Sequence, residues 1–181
     1  MANQQPTIPV TVAGVYIHPN QKVPVVFLAD SKRAEVIAIF VGLLEAQAIV
    51  LAWRNLAAPR PLTIDLLKAI IIEDLKCTIE KVVVHSVKQS TFLANIYLRD
   101  HNGAVQVRDA RPSDAIALAL RAQAPLEIGE QLLNRSAFER DNTRALLELL
   151  EQEAKSTESV LAEFKEEWLT PQAEEADDEE E

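Results

Sequence analysis

An α+β domain followed by a helical extension is the fold this sequence predicts, and three observations predict it. Short β-branched apolar runs, each bounded by turn residues, recur through the first 128 residues. Between them lie stretches whose apolar residues repeat at helical spacing. From Ser136 onward the chain changes to a charged background carrying a heptad-like apolar stripe.

Residues 10–18 (VTVAGVYIH), 23–29 (VPVVFLA) and 36–40 (VIAIF) read as three strands, punctuated by Pro19-Asn20 and Asp30-Ser31. Their short links predict an antiparallel meander. From Gly42 to about Arg54 the period changes. Leu43, Leu44, Ala46, Ile49, Val50 and Trp53 recur at helical spacing around most of the circumference, which predicts a buried helix. Thr63 to Leu75 reads as a second helix, with Thr63 as N-cap and Asp65 in the first turn, where a carboxylate suits the helix dipole. Strands follow at 79–87 and 91–99. The second alternates Phe92, Ala94, Ile96 and Leu98 against Leu93, Asn95, Tyr97 and Arg99. Asp100-His101-Asn102-Gly103 is a hairpin turn into a strand at 104–108. Pro112-Ser113-Asp114 opens a third helix, which Ala124-Pro125 stops at about Gln123. A short strand at 126–128 and a short helix at 129–134 close the domain, taken as residues 1–135.

Residues 136–170 are the predicted helical extension. Leu147, Leu150, Ala154, Thr157, Leu161, Phe164 and Trp168 alternate three and four apart, so the stripe needs a surface, on its own domain or on a partner. Pro171 ends it. The tail at 171–181, with seven acids between Glu174 and Glu181, is too poor in apolar surface to order itself.

Apolar residues make up 48% of the chain and charged residues 25%, the balance of a protein that folds around a core. The charge is uneven. Residues 141–181 hold 15 acidic and 3 basic residues, a net of −12, while residues 1–140 hold 13 and 15, a net of +2. The body tolerates phosphates and the tail repels them. The most apolar window, Val36 to Trp53, is interrupted by Glu45 and Gln47, so no membrane span is expected. MANQQPTIPV lacks a basic segment followed by an apolar one, so no secretory signal is expected. The lone Cys77 fits a reducing compartment, and a cytoplasmic protein is expected. With no His near it in sequence, Cys77 reads as a structural thiol. Four glycines form no phosphate-loop or dinucleotide pattern. His18, His85 and His101 have the spacing of neither a zinc site nor a catalytic triad.

Two segments carry candidate chemistry. Arg60-Pro61-Leu62-Thr63-Ile64-Asp65 and Arg111-Pro112-Ser113-Asp114 each place Arg-Pro before a hydroxyl N-cap candidate and an acid, at the mouth of a helix. Arginine, free helix N–H groups and carboxylates suit a phosphate or a divalent cation. The same features are also how helices ordinarily begin, so the spacing admits both readings.

The series Val41-Gly42, Glu45-Ala46-Gln47-Ala48-Ile49, then Arg60-Pro61-Leu62-Thr63 with Asp65-Leu66, then Asp109-Ala110-Arg111-Pro112-Ser113-Asp114-Ala115-Ile116-Ala117-Leu118-Ala119 resembles the motif series of the bifunctional nuclease (BFN) family over roughly residues 10–135. The resemblance implies a strongly curved, largely antiparallel sheet packed with helices, self-association, and nuclease activity on RNA, DNA or both; the mostly apolar first helix and the extended sheet point to a dimer or trimer. Such hydrolysis commonly uses Mg²⁺ or Mn²⁺ held by carboxylates. Glu45, Asp65, Asp109 and Asp114 are then the candidate catalytic residues, with Asp65, Asp109 and Asp114 as metal ligands. Arg60, Arg111, Thr63 and Ser113 are the candidate substrate-binding residues. The chain departs from the family pattern at Ile64, where relatives typically carry His, and Ile neither moves a proton nor binds a metal. The other expectation is a non-enzymatic oligomeric scaffold or regulatory protein whose residues 141–181 recruit a protein partner.

Overall fold

Two antiparallel meanders, joined through one short strand between them, make the sheet. The structure, a computed structural model, describes residues 6–18, 20–30, 35–89 and 91–133, with isolated positions at 142, 143, 145 and 148. The predicted extension and acidic tail otherwise lie outside the described residues. The first meander is β1 (Thr7–Ile17), β2 (Pro24–Asp30) and β3 (Val36–Phe40). The second is β4 (Thr78–Lys88), β5 (Thr91–Arg99) and β6 (Val105–Ala110). The joining strand β7 (Leu126–Gly129) runs antiparallel to β1 and parallel to β4, giving the order β3-β2-β1-β7-β4-β5-β6. The sheet is open and mostly antiparallel, as the sequence predicts.

The helices are α1 (Leu43–Trp53), α2 (Thr63–Ala69), α3 (Pro112–Ala122) and the single turn α4 (Glu130–Leu133). The second helix continues as a π-helical turn over Ile70–Asp74 rather than as α-helix to residue 75. α1 and α2 both pack on α3, which lies against β4 and β5. One main apolar core fills the space between helices and sheet, with Val15, Val26, Ile49, Val82, Val84, Ile116, Leu118 and Ile128 at its centre. α1 is buried except at its start, where Leu43 and Leu44 are exposed.

The sheet curls. A flat sheet of seven strands would hold its edges roughly 29 Å apart at the usual strand spacing. Here Ile39 and Phe40 of edge strand β3 line one cleft with Asp109 and Ala110 of the opposite edge, β6. A bulge in β1 between Val12 and Gly14 adds twist. Gly14 has a second role: a Cβ there would collide with the ring of Tyr16, which packs edge-on against Phe27 at 5.8 Å.

β1 starts three residues before the predicted boundary, because Thr7, Ile8 and Pro9 pair with Gly129, Ile128 and Glu127 of β7. Pro9 is tolerated because β2 pairs only from Val10 onward, so its missing N–H costs no bond on that side. Among the described residues no helix is long and apolar enough to cross a membrane.

A polar clasp secures β7. Glu127 Oε2 accepts hydrogen bonds from Thr7 Oγ1 of β1 at 2.5 Å and from Lys81 Nζ of β4 at 2.8 Å. Burial by itself would raise the Glu127 carboxyl, but the bonds from Lys81 and Thr7 outweigh it and hold it below its ordinary value. A carboxyl depressed in the folded state adds stability above its unfolded pKa and loses it as pH falls through the folded one. The Tm of the wild type should therefore drop more steeply than that of Glu127→Gln as pH is lowered below the ordinary glutamate range. Parallel Tm–pH curves would remove Glu127 from the clasp.

Candidate functional site

The Asp109–Asp114 motif spans a strand-to-helix junction without a loop. Asp109 is the penultimate residue of β6, opposite Asn95, and Arg111 is already the N-cap of α3. Pro112 occupies the first helical position, where its lack of an N–H costs nothing. Ser113 is therefore not the N-cap; it sits inside the first turn, buried at the helix mouth. The same correction applies to α2. Leu62, not Thr63, is its N-cap, because the Asp65 carboxylate reaches back to the Leu62 N–H (Oδ2, 2.9 Å) and Leu62 packs on the core. Leucine has no side-chain acceptor, so only half of a capping box exists there.

Arg111 is the centre of the site. Its Nε and Nη2 donate to Asp114 Oδ2 and Oδ1 at 2.7 and 3.0 Å, a bidentate fork, and Nη1 donates to Glu45 Oε1 at 2.9 Å. The hydrogen bonds and charge of Asp114, and then the charge of Glu45, raise the already high pKa of this guanidinium, which stays cationic. The Arg111 side chain is still 67% exposed. Glu45 reaches Arg111 from the first turn of α1, where its carboxylate folds back over Gly42. A Cβ at Gly42 would strike Glu45 Oε2, so any larger residue there would push this flexible carboxylate aside.

Two clefts meet at this bridge. One, of about 430 Å³, lies between the β3 end, the β5 start and the β6 end, with Phe40 and Phe92 in its wall. The other, of about 730 Å³, lies between α1, α2 and the start of α3 and is mostly apolar. Glu45, Asp109, Ala110, Arg111 and Ser113 line both. Leu44, 72% exposed, stands on the rim of the larger.

The structure thus brings together Glu45, Asp109, Arg111, Ser113 and Asp114. Thr63 and Ile64 line the larger cleft from α2. Arg60 is exposed before α2 and lines neither cleft. Asp65 turns away, with Oδ1 at 2.9 Å from Arg121 Nε and Oδ2 on the Leu62 N–H. Arg121 is one α-helical residue in a run of alanine and leucine, a signal that a charge is buried there, but its partner could not be chosen from sequence.

As a metal centre the arrangement fits poorly. Both Asp114 oxygens and one Glu45 oxygen face Arg111, and Asp65 faces Arg121. Among the described residues no three His, Cys, Asp or Glu side chains form a set that could hold an ion. Asp109 is the one carboxylate of the four that makes no hydrogen bond or ion pair among the described residues, and one carboxylate is too few for a resident Mg²⁺ or Mn²⁺.

The Glu45–Arg111–Asp114 bridge is partly exposed, and such bridges add little to stability. Glu45→Gln or Asp114→Asn should each lower Tm by no more than about 4 °C. A loss above about 10 °C in a thermal melt would make the bridge a structural clamp instead.

A family model described as the bifunctional nuclease domain matches residues 26–141. Two curated relatives from Mycobacterium tuberculosis, of strains CDC 1551 and H37Rv, are each 33% identical to this chain over 129 residues. The match covers 71% of this chain and 76% of each relative, and both are named only as uncharacterized proteins.

Proposed function

The chain belongs to the bifunctional nuclease domain family, and we propose that it hydrolyses phosphodiester bonds of RNA, DNA or both at the double cleft that Arg111 divides. The observation that carries this reading is the exposed, bidentate Arg111 at the junction of two clefts. A guanidinium has five N–H donors. Three are engaged with Asp114 and Glu45, which leaves one on each terminal nitrogen for a phosphate oxygen. The first-turn N–H groups of α3 favour the same charge. In the proposed reaction, a water oxygen bonds to phosphorus while its proton passes to a cleft carboxylate, Glu45 or Asp109. The bond to the leaving oxygen then breaks, and that oxygen takes the proton back from the carboxylic acid. Arg111 offsets the charge that builds on the phosphoryl oxygens. No step here runs through a metal ion. The reading places the protein in the cytoplasm, where nucleic acid is at hand and Cys77 stays reduced.

The test is cleavage of labelled single-stranded RNA and DNA with Mg²⁺, with Mn²⁺ and with chelator. Arg111→Ala should cut at least about a hundredfold more slowly than wild type, with its circular dichroism unchanged. A wild-type chain that cuts nothing in any of the three conditions sinks the nuclease reading.

The scaffold reading is favoured by one observation of its own. Among the described residues β6 is an open edge without proline or bulge, and Val105 and Val107 are each 45% exposed on it. Such an edge is a template for pairing with another strand. Self-association, as dimer or trimer, is therefore part of the proposal in either reading, and in the second residues 141–181 recruit a protein partner. Val107→Lys, a substitution that blocks edge pairing, should shift sedimentation equilibrium toward monomer without unfolding the chain. An unchanged oligomer would place the contact elsewhere.

A further inference from the structure

We propose that Arg121, at the far end of α3, is a positioning residue that sets the α2 wall of the larger cleft. It lies seven residues from Asp114, about 10 Å along the helix, and touches neither cleft. Its side chain is only 12% exposed. Nη1 donates to the Leu56 carbonyl at 2.9 Å, and Nε stands 2.9 Å from Asp65 Oδ1. That second contact is coulombic rather than an aligned hydrogen bond, since neither Nε nor Nη2 has a hydrogen-bond partner among the described residues. Asp65 in turn holds the Leu62 N–H through its other oxygen.

One guanidinium therefore ties three segments: the loop after α1, the entry to α2 and the last turn of α3. The entry to α2 is the part that matters for the cleft, because Leu62, Thr63, Ile64 and Leu67 form its wall. A buried cation demands its counter-ion, so Asp65 cannot drift while Arg121 is charged. The fork also explains arginine rather than lysine. It reaches a carbonyl and a carboxylate at once, where an ammonium is a single point. Asp65 belongs to this latch and acts on substrate only through the wall that it holds.

The inference rests on the proposed function for the role of the cleft, and the experiment separates the two. Amide hydrogen exchange of the full chain is compared among wild type, Arg121→Lys and Arg121→Met, together with kcat and KM on a labelled oligonucleotide. In Arg121→Met, amides of 66–69 should exchange at least about tenfold faster while those of β4 and β5 keep their protection. KM should rise at least about fivefold, with kcat within about twofold of wild type. Arg121→Lys, which keeps the charge, should recover part of both effects. Unchanged α2 exchange overturns the latch. Exchange that rises equally in α2, β4 and β5 also overturns it, by making Arg121 a general support of the fold. Loosened α2 with unchanged KM overturns the positioning role. If wild type cuts nothing, the nuclease reading fails and the exchange pattern alone decides the latch.

Discussion

The four residues of β7 depend on a pairing that no neighbouring segment supplies. Among the described residues β7 is the only strand bonded to both meanders, antiparallel to β1 through Thr7–Pro9 and parallel to β4 through Val82–Val84. Without it the sheet divides into β1–β3 and β4–β6, each with an open inner edge. A parallel neighbour must be reached by a crossover. Here the chain leaves the outer edge at β6, crosses the sheet as α3 and re-enters at the middle. The placement of β7 therefore fixes the placement of α3, and α3 carries Arg111 at one end and Arg121 at the other.

This geometry explains why the charged residues form two groups rather than one. The two arginines stand at the start and the end of α3, nearly three turns apart, and each draws an acid from a different helix. Arg111 takes Glu45 of α1 together with its own Asp114, and Arg121 takes Asp65 of α2. The difference in exposure gives the pairs different work. A bidentate pair at 67% exposure can exchange a carboxylate for another anion at small cost. A guanidinium at 12% exposure cannot, because losing its carboxylate strands a charge in the interior. The first suits ligand exchange and the second suits a fixed frame.

The apolar surface is distributed to the same end. Leu43 and Leu44 share a helix with Ile49 and Val50, yet the first pair is exposed and the second fully buried. The exposed turn of α1 is the one that carries Glu45 to the cleft, so the price of an open site is apolar surface left to water. Val105 and Val107 repeat the pattern on β6, the strand that delivers Asp109. Covering Leu44 with more of the domain would close the rim of the larger cleft.

The sequence by itself determined the elements, because these are decided by local periodicity and turn chemistry. Residues 36–40 and 91–99 form strands at the predicted bounds, and among the described residues up to Leu133 every other element lies within a few residues of its predicted place. It also singled out the Asp109–Asp114 motif, but by its spacing alone that motif reads equally as an ordinary helix start, and only the resemblance to a known motif series favoured chemistry there. Local pattern failed where a distant partner won. β1 begins early because β7 is there to receive it, and the caps moved to Leu62 and Arg111 because Asp65 and Pro112 fixed them. Which acid meets which arginine was decided only by the tertiary structure. Asp65 and Asp114 stand in similar motifs, and nothing in either motif records that one faces a cleft and the other a buried guanidinium. Coulomb attraction depends on distance in space, and the crossover through α3 sets that distance.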